Sequence, residues 1–480
     1  MPQMNDFEHI ARRQGGLNKH LTAGQMSMLA IGGAIGTGLF LGSAYAIQMA
    51  GPAVLLSYLI GGVIALLLMG SLAEMTSEHP TPGSFGDYAE FYLGPLFGFL
   101  VRYSYWSCVV LAVGTEVTAI GMYMQFWFPA TPTWPWVLLF SAAVIVVNVI
   151  GVKSFGQVEY ALSTVKVTAI VAFILIGIGI LAFSGNPAYG LRNLTAGGFM
   201  PFGVKGMWFA TIVSIFSYLS IEMIAVAAGE AKNPVIAVKA AFKGTLVRLF
   251  IFYMLSIALM LAIVPWRQSG TGESPFLMAM NVIHLPAAAG IFNFIVLVAA
   301  LSAMNSQLYI TTRMMFSLSR AGQAPAALGR VSRRGIPVNA LAMSCIGIVV
   351  SIVLSLVAPE TSFAAMMSIS VYGACFTWLM IFVTHLFFRR RHRQTHLKFR
   401  MWGFPYTTLL GAGLMAALMI STAFTEFFRM TLWFGIPFTL LLVAAYRFQS
   451  RRAAAPSPVK GPAGEVRGGG GGGGPPARGC

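Results

Sequence analysis

Three ionisable side chains, Glu116, Lys166 and Glu222, fall deep inside long apolar runs of this chain. A charge at such a place is costly and ordinarily faces a cavity, a partner or an ion path. A low dielectric disfavours the charged forms of carboxylate and ammonium alike, so either type can take up and release a proton there. Proton coupling is the chemistry this set suggests. Structural glue is the plainer reading, with one carboxylate pairing Lys166 and the other tied to backbone N–H groups. A second chemistry lies in Ile31-Gly-Gly-Ala-Ile-Gly-Thr-Gly38, where Gly33, Gly36 and Gly38 interrupt the first apolar run. Glycine tolerates backbone shapes that let a membrane helix break and turn its peptide groups toward a solute. A second half-helix starting near Thr37 would offer free N–H groups to a carboxylate, and carbonyls ending near Ala34 would accept from an ammonium. Together they fit a free amino acid.

The elements that must hold these groups are membrane spans. Of the 480 residues, 57% are hydrophobic and 9% charged, with a mean hydropathy of +0.76. A soluble domain is nearer one quarter charged, so too little polar sequence remains here to cover a soluble core. Twelve apolar segments, near 26–48, 53–75, 97–126, 135–151, 158–184, 206–229, 242–265, 283–312, 337–357, 362–388, 404–424 and 428–446, predict an all-α polytopic membrane protein. The third and eighth are long enough to tilt or project. Residues 78–87, rich in turn formers, predict a partly re-entrant or amphipathic stretch rather than a free loop.

The formal charge of +17 would suggest nucleic acid if read alone, but the basic residues lie in short loops and tails. With a cytoplasmic N-terminus, 26 of the 31 fall in inside segments or at their span ends, Lys166 lies within a span, and Arg192, Lys205, Arg267 and Arg429 fall outside. That bias predicts both termini in the cytoplasm of a bacterial cell membrane. The patch from Arg389 to Arg400 is expected to attract anionic lipids. Residues 1–25 read as a cytoplasmic leader into a retained helix rather than a removable signal peptide. Residues 447–480, rich in glycine and proline, predict a disordered cytoplasmic tail whose scattered basic residues make no nucleic-acid surface. Cys108, Cys345, Cys375 and Cys480 show no disulfide or metal spacing, and no cofactor is expected.

A weak five-plus-five pattern divides the chain into repeats at 26–184 and 206–388, with two further helices at 404–446. An odd helix count per repeat inverts the second copy, so the first helix of each half should be the broken one. In the second half, Phe216-Ser-Tyr-Leu-Ser-Ile-Glu222 has no glycine, and its break is the weaker expectation. The candidate substrate-binding residues are therefore Ala34, Ile35, Gly36, Thr37, Gly38, Phe216, Ser217, Tyr218, Ser220 and Glu222, with Asn305 beside the route. Glu116, Lys166 and Glu222 are the proton-coupling candidates, and Lys166 could stand where a sodium ion would otherwise sit. Thr37, Ser214, Ser217 and Asn305 could also supply oxygens, though such residues are ordinary helix–helix partners. Tyr103, Tyr105, Trp106, Tyr372 and Trp378 are candidate gates.

The segments Leu29–Ser43, Ala50-Gly-Pro52, Gly83-Ser-Phe85, Gln125-Phe-Trp127, Asn148–Gly156, Ala228–Pro234, Ser274-Pro-Phe276 and Arg334–Asn339 run in the order of a known family. Over residues 15–450 the chain resembles bacterial permeases of the amino acid–polyamine–organocation superfamily, in the proton-symporting amino acid transporter branch. The resemblance implies the leucine-transporter-like inverted repeat plus two helices, and no enzymatic activity. It further implies that Gly33–Gly38 holds the substrate carboxylate, that Phe216–Glu222 faces the ammonium and side chain, and that Lys166 matches a lysine linked with proton dependence. Glu116 and Glu222 match acidic positions common in the branch. Many relatives carry glycine where this chain has Leu219 and Ser220, which points to a small or polar neutral amino acid. An exchanger and a non-transporting sensor are the alternatives, and the oligomeric state, a monomer included, stays open.

Overall fold

The structure, a computed structural model, describes residues 5–17, 21–269, 274–282, 286–358, 361–393 and 396–454. Among these the secondary structure is helical apart from one isolated parallel bridge, Leu21 to Ala231. A short amphipathic helix α1 (Asn5–Arg13) precedes the first apolar segment, which is split into α2 (Ala23–Ala34), α3 (Thr37–Phe40) and α4 (Gly42–Ala50). There follow α5 (Val54–Glu78), α6 (Ser84–Leu93), α7 (Pro95–Gln125), α8 (Trp134–Ile150) and α9 (Val152–Phe183). The sixth apolar segment is split again, into α10 (Gly203–Tyr218) and α11 (Met223–Ala227). The remainder comprises α12 (Pro234–Ile263), α13 (Pro275–Val282), α14 (Pro286–Arg320), α15 (Val338–Ser344), α16 (Ile346–Val357), α17 (Ser362–Arg391), α18 (Tyr406–Ser421) and α19 (Arg429–Ala454).

Local chemistry sets several of these boundaries. Thr22 and Gln25 form a reciprocal capping box at the start of α2. Proline opens α7, α8 and α12, where its missing N–H costs nothing. Residues 78–87 are not a free loop: α6 starts at Ser84 and buries Phe85, Asp87 and Tyr88. The last helix runs to Ala454, past the expected boundary at 446, because its closing residues are arginines and alanines that propagate a helix into water. The rest of the expected tail, 455–480, lies outside the described residues.

Ten helical runs among the described residues are long and apolar enough to cross a bilayer, and Trp134–Ile150 and Val247–Ile263 are shorter apolar helices. Among the described residues, each of the twelve apolar segments read from the sequence is mostly helical, the first and sixth being broken. The chain is thus an all-α, multi-pass membrane protein. Leu139, Leu175, Val357 and Leu440 are among the large apolar side chains left exposed, as lipid-facing helices require. At 31 residues α7 is about 46 Å long, well beyond a hydrocarbon core of about 30 Å, and α14 is longer still at 35. These two helices pack along one another, and α17 also packs on α7. The broken α10 packs on α4 and α5, while α2 rests on α9 and α12.

One end of the bundle gathers the N-terminal helix and several of the ion pairs. Arg102 holds Asp87 at 2.5 Å and Glu90 at 2.7 Å, and Arg13 reaches Glu90 at 2.5 Å. Phe7 of α1 lies 4.0 Å from the His79 ring and 5.4 Å from Phe91. Tyr92 Oη stands 2.7 Å from His79 Nε2. Burial, with His392 and Lys398 adding like charge, lowers the His79 pKa from 6.5 to about 4. The neutral ring therefore stabilises this corner fully above about pH 6.5, and that contribution is lost as pH falls toward about 4. Amide-exchange protection of α1 should accordingly drop between about pH 7.5 and about pH 5, and His79→Gln should flatten the change. Equal protection at both values would contradict this assignment.

Candidate functional site

The first apolar segment loses its hydrogen-bond ladder across Ile35 and Gly36, between the end of α2 and the start of α3. Gly36 is extended, with φ −132° and ψ −155°, a shape open to any residue. Glycine is required there by close approach: a Cβ would lie 2.7 Å from Glu116 Oε1 and 2.8 Å from Ala303. The amides of Leu39 and Phe40 bond the Gly36 carbonyl, while the Thr37 amide at the start of α3 precedes the first such bond. It donates instead to Glu116 Oε2 at 3.2 Å. A protein carboxylate thus already sits where the sequence places a solute's carboxylate.

The second break is as definite as the first. After Tyr218 the chain turns extended at Leu219, then left-handed at Ser220 with φ +78°. A non-glycine residue held in that region costs about 1 kcal/mol or more. Glu222 offsets the strain locally, since its Oε1 accepts from the Ser220 N–H at 3.1 Å and from Tyr105 Oη at 2.5 Å. Oε2 makes no hydrogen bond of ordinary geometry among the described residues, although the Trp378 indole N–H lies close to the Glu222 carboxylate. Thr37 Oγ1 likewise lies close to Glu116, and Ser220 Oγ has no hydrogen-bond partner among the described residues. These side chains are all buried. Of the candidate gates, Tyr105 bonds Glu222 and Trp378 lies near it. Trp106 bonds Ser344, Tyr103 bonds the Gln323 carbonyl and Tyr372 bonds Thr439.

The two breaks are stitched together. Ser217 Oγ donates to the Gly38 carbonyl at 2.7 Å, and Tyr58 Oη lies 2.9 Å from Ser217 Oγ. A Cβ on Gly38 would stand 2.8 Å from the Ser217 Cα, so only glycine lets the backbones come this close. Tyr253 Oη lies 2.7 Å from the Ala34 carbonyl and 2.8 Å from the Ser217 carbonyl, sharing one proton between the ends of α2 and α10. Tyr218 turns away and bonds the Tyr58 carbonyl at 3.2 Å. Ser220 and Met223 lie against Gly33. Just before α2, Leu21 exchanges backbone bonds with Glu230 and Lys232 at 3.1 Å each.

Lys166 Nζ donates to the carbonyls of Gly32 at 2.5 Å and Ile35 at 3.0 Å. The α2 carbonyls assigned from the sequence to a solute's ammonium are therefore held by Lys166 and Tyr253. At the second break, Glu222 Oε2 is a buried acceptor with no ordinary hydrogen bond among the described residues. Lys166 is not directly paired with a carboxylate, although Glu116 and Glu159 both act on its charge. Glu159 was missed because the fifth span was expected to begin at 158. Helix α9 begins at Val152, which puts Glu159, Ser163 and Lys166 on one buried face. Glu159 accepts from Ser163 at 3.0 Å, from Ser302, and from Asn305 at 2.8 Å. Asn305 also receives the Asn148 amide at 2.8 Å, so it joins α8, α9 and α14 rather than the two breaks. Ser214, bonded to the carbonyls of Ser57 and Thr211, lies apart as well.

Two substitutions probe this geometry. Tyr253→Phe strands two buried carbonyls and should lower unfolding stability by about 1–3 kcal/mol, read from denaturation midpoints in detergent. Gly38→Ala should depress the thermal midpoint far more than Gly413→Ala, where nothing lies within 4 Å. Equal midpoints for the two glycine variants would refute the close approach.

Comparison with known proteins places this architecture. Residues 25–455 match the family model described as "Amino acid permease". The chain is 39% identical over 453 residues to the "Uncharacterized amino acid permease YtnA" of Bacillus subtilis, covering 92% of this chain and 97% of the relative. It is 36% identical to the "Gamma-aminobutyric acid permease" of the same organism, covering 93% and 97%. It is also 36% identical to the "Aromatic amino acid transport protein AroP" of Escherichia coli K12, covering 94% and 99%. A solved manganese transporter from Eremococcus coleocola shares the fold, with a TM-score of 0.55 at 14% identity over 94% of this chain and 97% of that one. No group of three or more His, Cys, Asp or Glu among the described residues could hold a metal ion. The chain belongs to the amino acid permease family of the amino acid–polyamine–organocation superfamily, whose members are transporters and not enzymes.

Proposed function

We propose that this transporter is a proton symporter that takes up a neutral amino acid by alternating access. The observation that carries the reading is the pair of facing breaks, with Thr37 N–H at one and the buried Glu222 carboxylate at the other. One end suits a carboxylate and the other an ammonium. In the conformation described, all the candidate binding residues are buried, which fits an occluded state of the cycle. An arriving α-carboxylate competes with Glu116 for the Thr37 amide. Two carboxylates cannot share that place fully charged at low cost, so solute and proton enter together. Lys166 on the Gly32 and Ile35 carbonyls occupies an oxygen site that a sodium ion would need.

The same reading takes the chain as twelve spans in a leucine-transporter-like five-plus-five inverted repeat with two further helices. Both termini face the cytoplasm, and anionic lipids gather at Arg389–Arg400. Leu219 and the left-handed Ser220 narrow the second break and add a hydroxyl, which favours a small or polar neutral substrate.

Purified protein in liposomes tests this with a panel of unlabelled competitors, γ-aminobutyric acid and aromatic amino acids among them. Accumulation should require an inward proton gradient; uptake sustained by sodium or by an internal amino acid pool after that gradient is abolished would reject symport. Glu222→Gln should remain folded yet lose gradient-driven accumulation by about tenfold or more, a change of about 1.4 kcal/mol. Unchanged pH-dependent accumulation would remove Glu222 from coupling.

A further inference from the structure

Between α17 and α18, a concavity of about 310 Å³ has a wall that includes Arg389, His392, Arg393, His396, Arg400 and Phe404. Among the described residues, no carboxylate contributes to that lining. The volume corresponds to roughly ten waters. The nearby acids are committed elsewhere. Glu74 is buried and pairs with Arg389 Nε at 2.6 Å, with His385 Nε2 at 3.3 Å. It also accepts the Met401 N–H at 2.6 Å. Glu78 accepts the Lys398 N–H at 2.6 Å and lies 3.9 Å from the Lys398 ammonium. Arg391 sits over the Phe91 ring at 4.6 Å.

That leaves Arg393 and Arg400, both exposed, with no carboxylate within ion-pairing distance among the described residues. Like charges crowded into one hollow repel, and an anion bound between them relieves the repulsion. The loop's own buried pairs keep it from collapsing: Arg389 lies 4.7 Å over Phe404 and donates to the Met401 carbonyl at 3.1 Å. The hollow is therefore shaped by residues that are not themselves the anion's partners.

Its depth identifies the anion's source. Trp402 and Tyr406 beside the pocket are 61% and 80% exposed, and Phe387 one turn before it is also exposed. Exposed tryptophan and tyrosine at the end of an apolar helix mark the level of lipid headgroups. Basic pockets at that level hold phosphate-bearing headgroups.

We propose that this pocket binds the phosphate of an anionic phospholipid, with Arg393 and Arg400 as its charged contacts and Arg389 as a positioning residue. The proposal deepens the reading of the Arg389–Arg400 patch as lipid-facing, and it is read without measuring transport. Protein purified in neutral detergent is exposed to phosphatidylglycerol, to phosphatidylcholine, or to inorganic phosphate, and lipid retention and thermal midpoint are recorded. Phosphatidylglycerol should be retained and raise the midpoint, and phosphatidylcholine should not. Inorganic phosphate at lower potency would support the same anion site, the acyl chains adding affinity. Arg393→Gln/Arg400→Gln should weaken phosphatidylglycerol retention by about tenfold or more. Arg330→Gln/Arg333→Gln, which removes equal charge from exposed positions outside the pocket, should not. Equal loss in both double variants, or no discrimination between the two lipids, would overturn the proposal.

Discussion

A peptide group stripped of its helical partner inside hydrocarbon must find another donor or acceptor, because water is not there to replace it. Each such group left unmet costs several kcal/mol. That constraint organises this molecule. Two helices are opened at facing positions, and the side chains that close around them are those that can satisfy the freed groups. Lys166 and Tyr253 take the carbonyls, and Glu116 and Glu222 take the amides. Glycine at 36 and 38 is the steric condition for bringing them within reach.

The same bonds divide the helices into those joined by shared backbone contacts and those joined by charged ones. Ser217 to Gly38, the shared Tyr253 proton and the Leu21 bridge join the two broken helices to each other and to α12. The contacts from Lys166 on α9 and Glu116 on α7 reach these breaks from helices outside the pair. Those contacts are charge-assisted and can be exchanged for contacts to a charged solute. Under the proposed alternating access, a bundle bonded within itself and held to its surroundings by exchangeable charges is the element that would move.

The first break was legible because glycine at 33, 36 and 38 weakens an apolar helix at closely spaced points, where alanine or leucine would have kept it whole. The second was only half legible, since the left-handed Ser220 is imposed by Glu222 and by packing against Gly33, neither of which leaves a local signature. The spans themselves could be read almost throughout, hydropathy being a direct measure of what lipid tolerates. The end of α19 could not, since arginine and alanine are equally at home in helix and tail. Glu159 was hidden by a helix start set six residues late. Spacing also cannot say which donor reaches a freed carbonyl, and here Lys166 and Tyr253 donate to the carbonyls of Ile35 and Ala34. Tyr253 carried no sequence signal, being one aromatic among many in apolar helices.

The central claim is that main-chain groups at the two breaks, with Glu222, grip both ends of a zwitterion. Equilibrium binding of one transported amino acid, its methyl ester and its deaminated analogue to the purified protein tests it most directly. Each analogue removes one charged partner, so each should bind about tenfold or more weaker, the loss expected for a hydrogen bond to a charged group. Undiminished affinity for both analogues would mean that neither break holds the solute.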